Sequence, residues 1–127
     1  MNYKELRLGN LVNDKRQPPY SPVIYHPSIV EYEITFRTAC VSNLKTGEKS
    51  KRYEDSLTPI ELTEEWLLKL GFKPFGKDFI KKGIVIHKRK RGWVLRKTVP
   101  IIKSVHQLQN LFYCLTGEEL ELIDENR

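Results

Sequence analysis

From Ile29 to Phe36 the chain alternates strictly, with Val30, Tyr32, Ile34 and Phe36 on one parity and Glu31, Glu33 and Thr35 on the other. A period of two marks a strand with one face buried and one in water, here with aromatic and β-branched residues on the buried side. Such a strand is not stable alone, so its neighbours must supply partners. Thr38 to Leu44 is a second β-rich run. It ends at Lys45-Thr46-Gly47-Glu48, where Gly47 supplies the positive φ of a tight turn, and Lys49 to Tyr53 reads as the return strand. Upstream, Leu6, Leu8, Leu11 and Val12 flank a Gly9-Asn10 turn signal. Asp14 to Pro22 reads as loop, because the adjacent Pro18 and Pro19 cannot join a central strand. Short strands with tight turns predict a small, bent antiparallel sheet of SH3-like type.

The second half changes period. Thr63 is a good N-cap, Glu64 and Glu65 favour the positive end of a helix dipole, and Trp66, Leu67 and Leu70 form the apolar stripe. Gly71 suits the left-handed position after the helix, with Phe72 folding back in a Schellman-type cap. Phe79-Ile80 then precede a Lys81-Lys82-Gly83 turn, and the segment His87 to Gly92 reads as a hairpin tip. In that hairpin Ile84, Ile86, Trp93 and Leu95 point inward, while His87, Arg89, Val94 and Arg96 face outward. Ser104 and Gln107 form a capping box for a helix that ends before Gly117. Its apolar residues are Val105, Leu108, Leu111, Phe112 and Leu115, and its polar ones, including His106 and Gln109, are expected at the surface. A short final strand is expected over Leu120 to Ile123. The fold class is therefore α+β: a bent sheet, a helix, a basic hairpin, a C-terminal helix and a last strand. With 127 residues it forms one compact domain, or two sub-lobes, 1–57 and 58–127, that share a core.

Charge is distributed unevenly. Residues 77–103 hold ten lysines and arginines against one acid, Asp78, in a chain whose net charge is +6. The last 24 residues hold five acids and one base. So local a field favours a polyanion, either a nucleic acid or an acidic protein surface. The candidate contact residues are Lys81, Lys82, His87, Lys88, Arg89, Lys90, Arg91, Arg96 and Lys97. Lys88 to Arg91 straddle a phosphate backbone in this reading, with the other cations flanking; His87 stacks if exposed, and Trp93 belongs to the core. The Pro loop with Tyr20, Tyr25 and His26 is a weaker candidate for a protein interface.

Other chemistry has little support. The three histidines, His26, His87 and His106, lie in separate segments, and no nucleophile elbow or glycine-rich phosphate loop appears. No catalytic residues and no cofactor are therefore assigned, and no small-molecule substrate is expected. Cys40 and Cys114 have no metal-ligand spacing and read as two reduced, buried thiols. No apolar run approaches the roughly 20 residues of a membrane span, and no signal peptide is visible, so a cytoplasmic protein without a membrane partner is expected.

Three blocks carry a resemblance: Glu5-Leu6-Arg7-Leu8-Gly9-Asn10-Leu11-Val12, the run from Pro59 to Phe72 (PIELTEEWLLKLGF), and the run from Val105 to Leu120 (VHQLQNLFYCLTGEEL). They resemble a family of short, uncharacterised proteins of Bacteroidetes phages, prophages and mobile elements. That resemblance implies no activity and no catalytic residues. It implies an accessory gene in a bacterial host, whose product binds a host protein or ribonucleoprotein complex. An anti-defence inhibitor, such as an anti-CRISPR protein, is one such product by analogy of setting. The alternative is a stand-alone RNA- or DNA-binding module that uses the basic 77–103 segment.

Overall fold

The computed structural model describes residues 6–16, 24–35, 38–53, 56–95 and 101–123. The protein is α+β and divides into two compact units, Met1–Ile60 and Glu61–Arg127.

The first unit is a curled antiparallel sheet. Its strands are β1 (Leu11–Arg16), β2 (Ile24–Thr35), β3 (Thr38–Asn43), β4 (Lys49–Tyr53) and β5 (Leu57–Thr58), in the order β4-β3-β2-β1-β5. The fifth strand returns to the first, pairing Thr58 with Asn13 and Leu57 with Asp14. β2 spans 12 residues, and its register against β3 shifts between Val30 and Tyr32 and again between Tyr32 and Thr35. Such irregularities bend a strand and increase its twist, which lets one long strand serve a curled sheet. Leu6, Val12, Val30, Ala39, Val41 and Leu57 form the apolar cluster. Gly9, at φ 89°, makes the predicted turn, and its N–H donates to the Val30 carbonyl at 2.7 Å. The turn at Asn43 is built as its residues require. Asn43 Oδ1 accepts from the N–H of Lys45 at 2.8 Å and of Thr46 at 3.2 Å, and Gly47 sits at φ 76°.

Two expectations change in this unit. The segment from Asp14 does not begin a loop, since β1 continues through Arg16; Tyr25 and His26 are in β2, paired with Lys15 and Asp14. Cross-strand pairing overrides the polar sequence there. Residues 17–23, with Pro18, Pro19 and Tyr20, lie outside the described residues. Of the alternating set, Val30 is buried, whereas Phe36 and the side chains of Tyr32 and Ile34 also lie outside them.

The second unit holds helix α1 (Glu64–Lys69), strands β6 (Lys73–Phe75), β7 (Asp78–Lys81), β8 (Ile84–Arg89) and β9 (Gly92–Val94), and helix α2 (Val105–Thr116). The strands form a meander in the order β6-β7-β8-β9. α1 is capped as its sequence dictates. Thr63 Oγ1 accepts from Trp66 N–H at 3.3 Å, while Phe72 N–H reaches the Leu67 carbonyl and Gly71 N–H the Leu68 carbonyl, the two bonds of a Schellman motif. At the start of α2, Gln107 Oε1 accepts from the N–H of Ser104 at 3.2 Å and of Lys103 at 2.9 Å; Gly117, at φ 74°, closes the helix. Phe72 meets Phe112, and Phe79 meets Trp93, each ring pair edge-on.

The buried face of α2 is rotated from the expected one. His106 and Gln109 are buried with Val105, Leu108 and Phe112, while Leu115 is 51% exposed. The burial is tolerated because the polar atoms are engaged: Ser104 Oγ faces His106 Nδ1 at 3.2 Å, and Gln109 Nε2 donates to the Leu120 carbonyl at 3.0 Å. That second bond also explains why Leu120 to Ile123 is not a strand. The segment is tied to the helices instead, with Leu120 buried and Ile123 N–H donating to the Lys69 carbonyl at 2.8 Å. Cys40 is buried as expected; Cys114, on the outer face of α2, is exposed, and both are free thiols.

Candidate nucleic-acid interface

The β8–β9 hairpin pairs His87 with Val94, Lys88 with Trp93 and Arg89 with Gly92. Its tip is therefore just Lys90 and Arg91. Residues directly opposite share a face, so Lys88 and Trp93 point the same way. Trp93 is 2% exposed, and its indole Nε1 donates to the Leu62 carbonyl at 2.9 Å. Lys88 Nζ sits 5.0 Å from the centroid of that ring. The arrangement anchors the root of the hairpin in the core and carries four successive cations outward; Lys88, Arg89, Lys90 and Arg91 are all exposed.

The chain then brings a fifth cation to the tip. Trp93 and Ile102 exchange both backbone hydrogen bonds, at 2.9 and 2.6 Å. Gly92, at φ 150°, permits this approach, because a Cβ there would lie 2.8 Å from the Ile102 carbonyl oxygen. Lys103 follows directly. Lys88, Lys90, Arg91 and Lys103 line one groove of about 290 Å³, together with Trp93 and the acid Glu61. Among the described residues, none of these four cations forms an ion pair. Lys103 was not singled out as a contact residue from the sequence. The available signal was its place in the basic block; its link to the tip required the Trp93–Ile102 pairing.

Of the other predicted contact residues, Arg89 is exposed beside the tip but does not line the groove, and the rest are placed elsewhere, engaged or outside the described residues. In a meander, successive turns fall at opposite ends of the sheet. Lys82 and Gly83 form the β7–β8 turn, at the opposite end of β8 from the Lys90-Arg91 tip. Lys81 and Lys82 therefore do not flank the tip. Lys81 Nζ donates to the Leu70 carbonyl at 2.7 Å, completing the end of α1, and lies 5.7 Å from the Phe112 ring. Burial, with the Lys82 charge adding to it, holds the Lys81 pKa below its ordinary value. Lys82 pairs with Glu118. His87 Nδ1 pairs with Asp78 Oδ2 at 2.9 Å, so the one acid of the basic block is used by the one histidine within it. Arg96 and Lys97 lie outside the described residues. His87 and His106 are in separate settings, one paired with Asp78 and the other buried beside Ser104, so they form no shared site for acid–base chemistry.

No helix of the described residues is long and apolar enough to cross a membrane. Comparison with known proteins finds no matching family model, no matching curated protein and no matching solved structure.

Proposed function

We propose that this is a non-enzymatic binding protein that grips the phosphate backbone of a nucleic acid, bare or held in a host ribonucleoprotein, through the β8–β9 tip. The observation that supports this reading is the groove lined by Lys88, Lys90, Arg91 and Lys103, four cations without an ion pair among the described residues. Four cations against one acid, Glu61, around one groove give a polyanion several simultaneous contacts. The buried Trp93 argues against base stacking at the root of the hairpin, so recognition rests on charge rather than sequence. The setting implied by the sequence resemblance, a phage or mobile element acting in the cytoplasm of a bacterial host, makes a nucleoprotein target such as an RNA-guided defence effector its biological context.

Fluorescence anisotropy with labelled RNA and DNA across a salt series tests this. Four phosphates neutralised give a slope of log K against log salt of about −3 for a single strand and about −4 for a duplex. Replacing Lys88, Lys90, Arg91 and Lys103 with Ser flattens it. Affinity capture from host lysate, with and without nuclease, then tells bare nucleic acid from a nucleoprotein. Absence of binding to bare RNA and DNA at low salt, with no host complex captured that depends on these cations, overturns the proposal.

A further inference from the structure

The inner face of the first unit's sheet changes character along its strands. Pairing places Val12 beside Ser28, Asp14 beside His26, Val30 beside Val41, Val41 beside Ser50, and Ala39 beside Arg52. Side chains on one parity share a face. The apolar cluster around Val12, Val30, Ala39 and Val41 therefore continues into a polar region at the other end of the same face. That region is a cleft of about 670 Å³, within the usual range of small-ligand sites, about 300 to 1,000 Å³.

One of the groups lining it is a buried carboxylate. The Asp14 side chain is 4% exposed, and each of its oxygens takes one guanidinium: Oδ1 accepts from Arg52 Nε at 2.8 Å, Oδ2 from Arg16 Nε at 3.0 Å. Two cations on one anion leave a surplus positive charge. Arg16 is also fixed by its Nη2, which donates to Ser50 Oγ at 3.0 Å. Its Nη1 then has no hydrogen bond among the described residues. Around this held guanidinium the cleft is lined by His26 from β2, Asn43 from the end of β3, and Lys45 from the β3–β4 turn, with Glu48 as its other acid. Lys45 forms no ion pair among the described residues. Asn43 Oδ1 is used by the turn, so its amide nitrogen remains as a donor.

We propose that this cleft binds a phosphate monoester of about mononucleotide size. A planar carboxylate offers two oxygens to one fork. A phosphate offers three, matching donors that arrive from three separate elements: Arg16, His26, and the Asn43–Lys45 turn. Asp14 acts as a positioning residue, holding Arg16 by its Nε so that its outer nitrogen faces the ligand. The site is in the first unit and uses none of the hairpin cations.

The test is two-dimensional ¹H–¹⁵N NMR titration with adenosine monophosphate, inorganic phosphate and adenosine. It is done on the chain with Lys88, Lys90, Arg91 and Lys103 all replaced by Ser, so that the hairpin captures no phosphate. Saturable shifts with the monophosphate and with phosphate, at Asp14 to Arg16, His26 and Asn43 to Ser50, and none with adenosine, are the expected result. Lys45→Ser and Arg16→Lys each weaken monophosphate binding, by about tenfold for a lost contact of about 1.4 kcal/mol. Arg16→Lys keeps the charge but loses the fork, and Lys45→Ser lies outside the Asp14 network, so at least one variant remains folded. No saturable shift, adenosine binding as tightly as its monophosphate, or unchanged affinity in both variants overturns the proposal.

Discussion

At the scale of single residues, Trp93 couples the core to the basic tip. Its ring meets Phe79 edge-on, its Nε1 satisfies the buried Leu62 carbonyl, and its face carries Lys88. Trp93→Phe keeps much of the apolar contact but leaves that carbonyl without its donor. The expected cost is about 1–3 kcal/mol, read as a lower urea midpoint at unchanged slope. Lys81 gives a pH dependence instead. Its folded-state pKa lies below the ordinary 10.5, so between the lowered value and 10.5 the unfolded chain holds more protons than the folded one. Stability carried by this group therefore rises with pH through that window, because deprotonation relieves the cost of burying the charge. Lys81→Met removes that part of the slope, and urea unfolding of both proteins at several pH values just below 10.5 measures it. Equal slopes would contradict the assignment. Asp14 illustrates what a single residue conceals in sequence. Nothing marks it as buried, because one of its partners, Arg52, lies 38 positions away and becomes a neighbour only through strand pairing.

At the scale of elements, local chemistry was largely legible. Thr63, Gly71, Ser104, Gln107 and Gly117 mark helix ends by capping rules that depend on a few adjacent residues. The Asn43–Gly47 turn and the β8–β9 hairpin were legible for the same reason. What failed was the choice of faces and edges. α2 presents Leu111 and Leu115 at helical spacing, yet His106 and Gln109 are the residues turned inward, because Ser104 and the Leu120 carbonyl offer them partners. The short strands β5 and β6 leave no signal in the sequence; at two and three residues they are too brief to show a period. The hairpin's dependence on one glycine is testable. At φ 150°, a Cβ on Gly92 would lie 2.6 Å from Ile101 Cγ2 and 2.8 Å from the Ile102 carbonyl oxygen, which is backbone and cannot swing aside. Gly92→Ala is expected to cost about 2–4 kcal/mol, combining backbone strain with loss of the Trp93–Ile102 bridge. Thermal unfolding and amide exchange at Trp93 and Ile102 report it, and faster exchange confined to that bridge identifies the cause.

At the scale of the whole molecule, the described residues of the basic block divide into groups engaged within the fold and cations that line the groove. Lys81 closes a helix, Lys82 answers Glu118, and His87 answers Asp78, whereas Lys88, Lys90, Arg91 and Lys103 line an open groove. Replacing those last four with Ser lowers the net charge from +6 by four and is expected to shift Tm by only a few degrees, since exposed cations without an ion pair among the described residues contribute little to stability and the Lys88–Trp93 contact adds only a modest amount. Circular dichroism melts measure that shift, and loss of nucleic-acid retention by the same folded variant tests whether these cations hold the ligand. A large drop in Tm would place these residues in the fold instead. The sequence by itself determined the α+β class, the helix caps, the tight turns and the concentration of charge, because each follows from residues within a few positions of one another. Only the tertiary structure decided which cations remain open to a ligand, how Lys103 joins the hairpin tip, and that Asp14, Arg16 and Arg52 meet under a cleft. Those outcomes depend on strand register and on partners brought together from distant parts of the chain, and neither hydrophobic periodicity nor local turn chemistry encodes them.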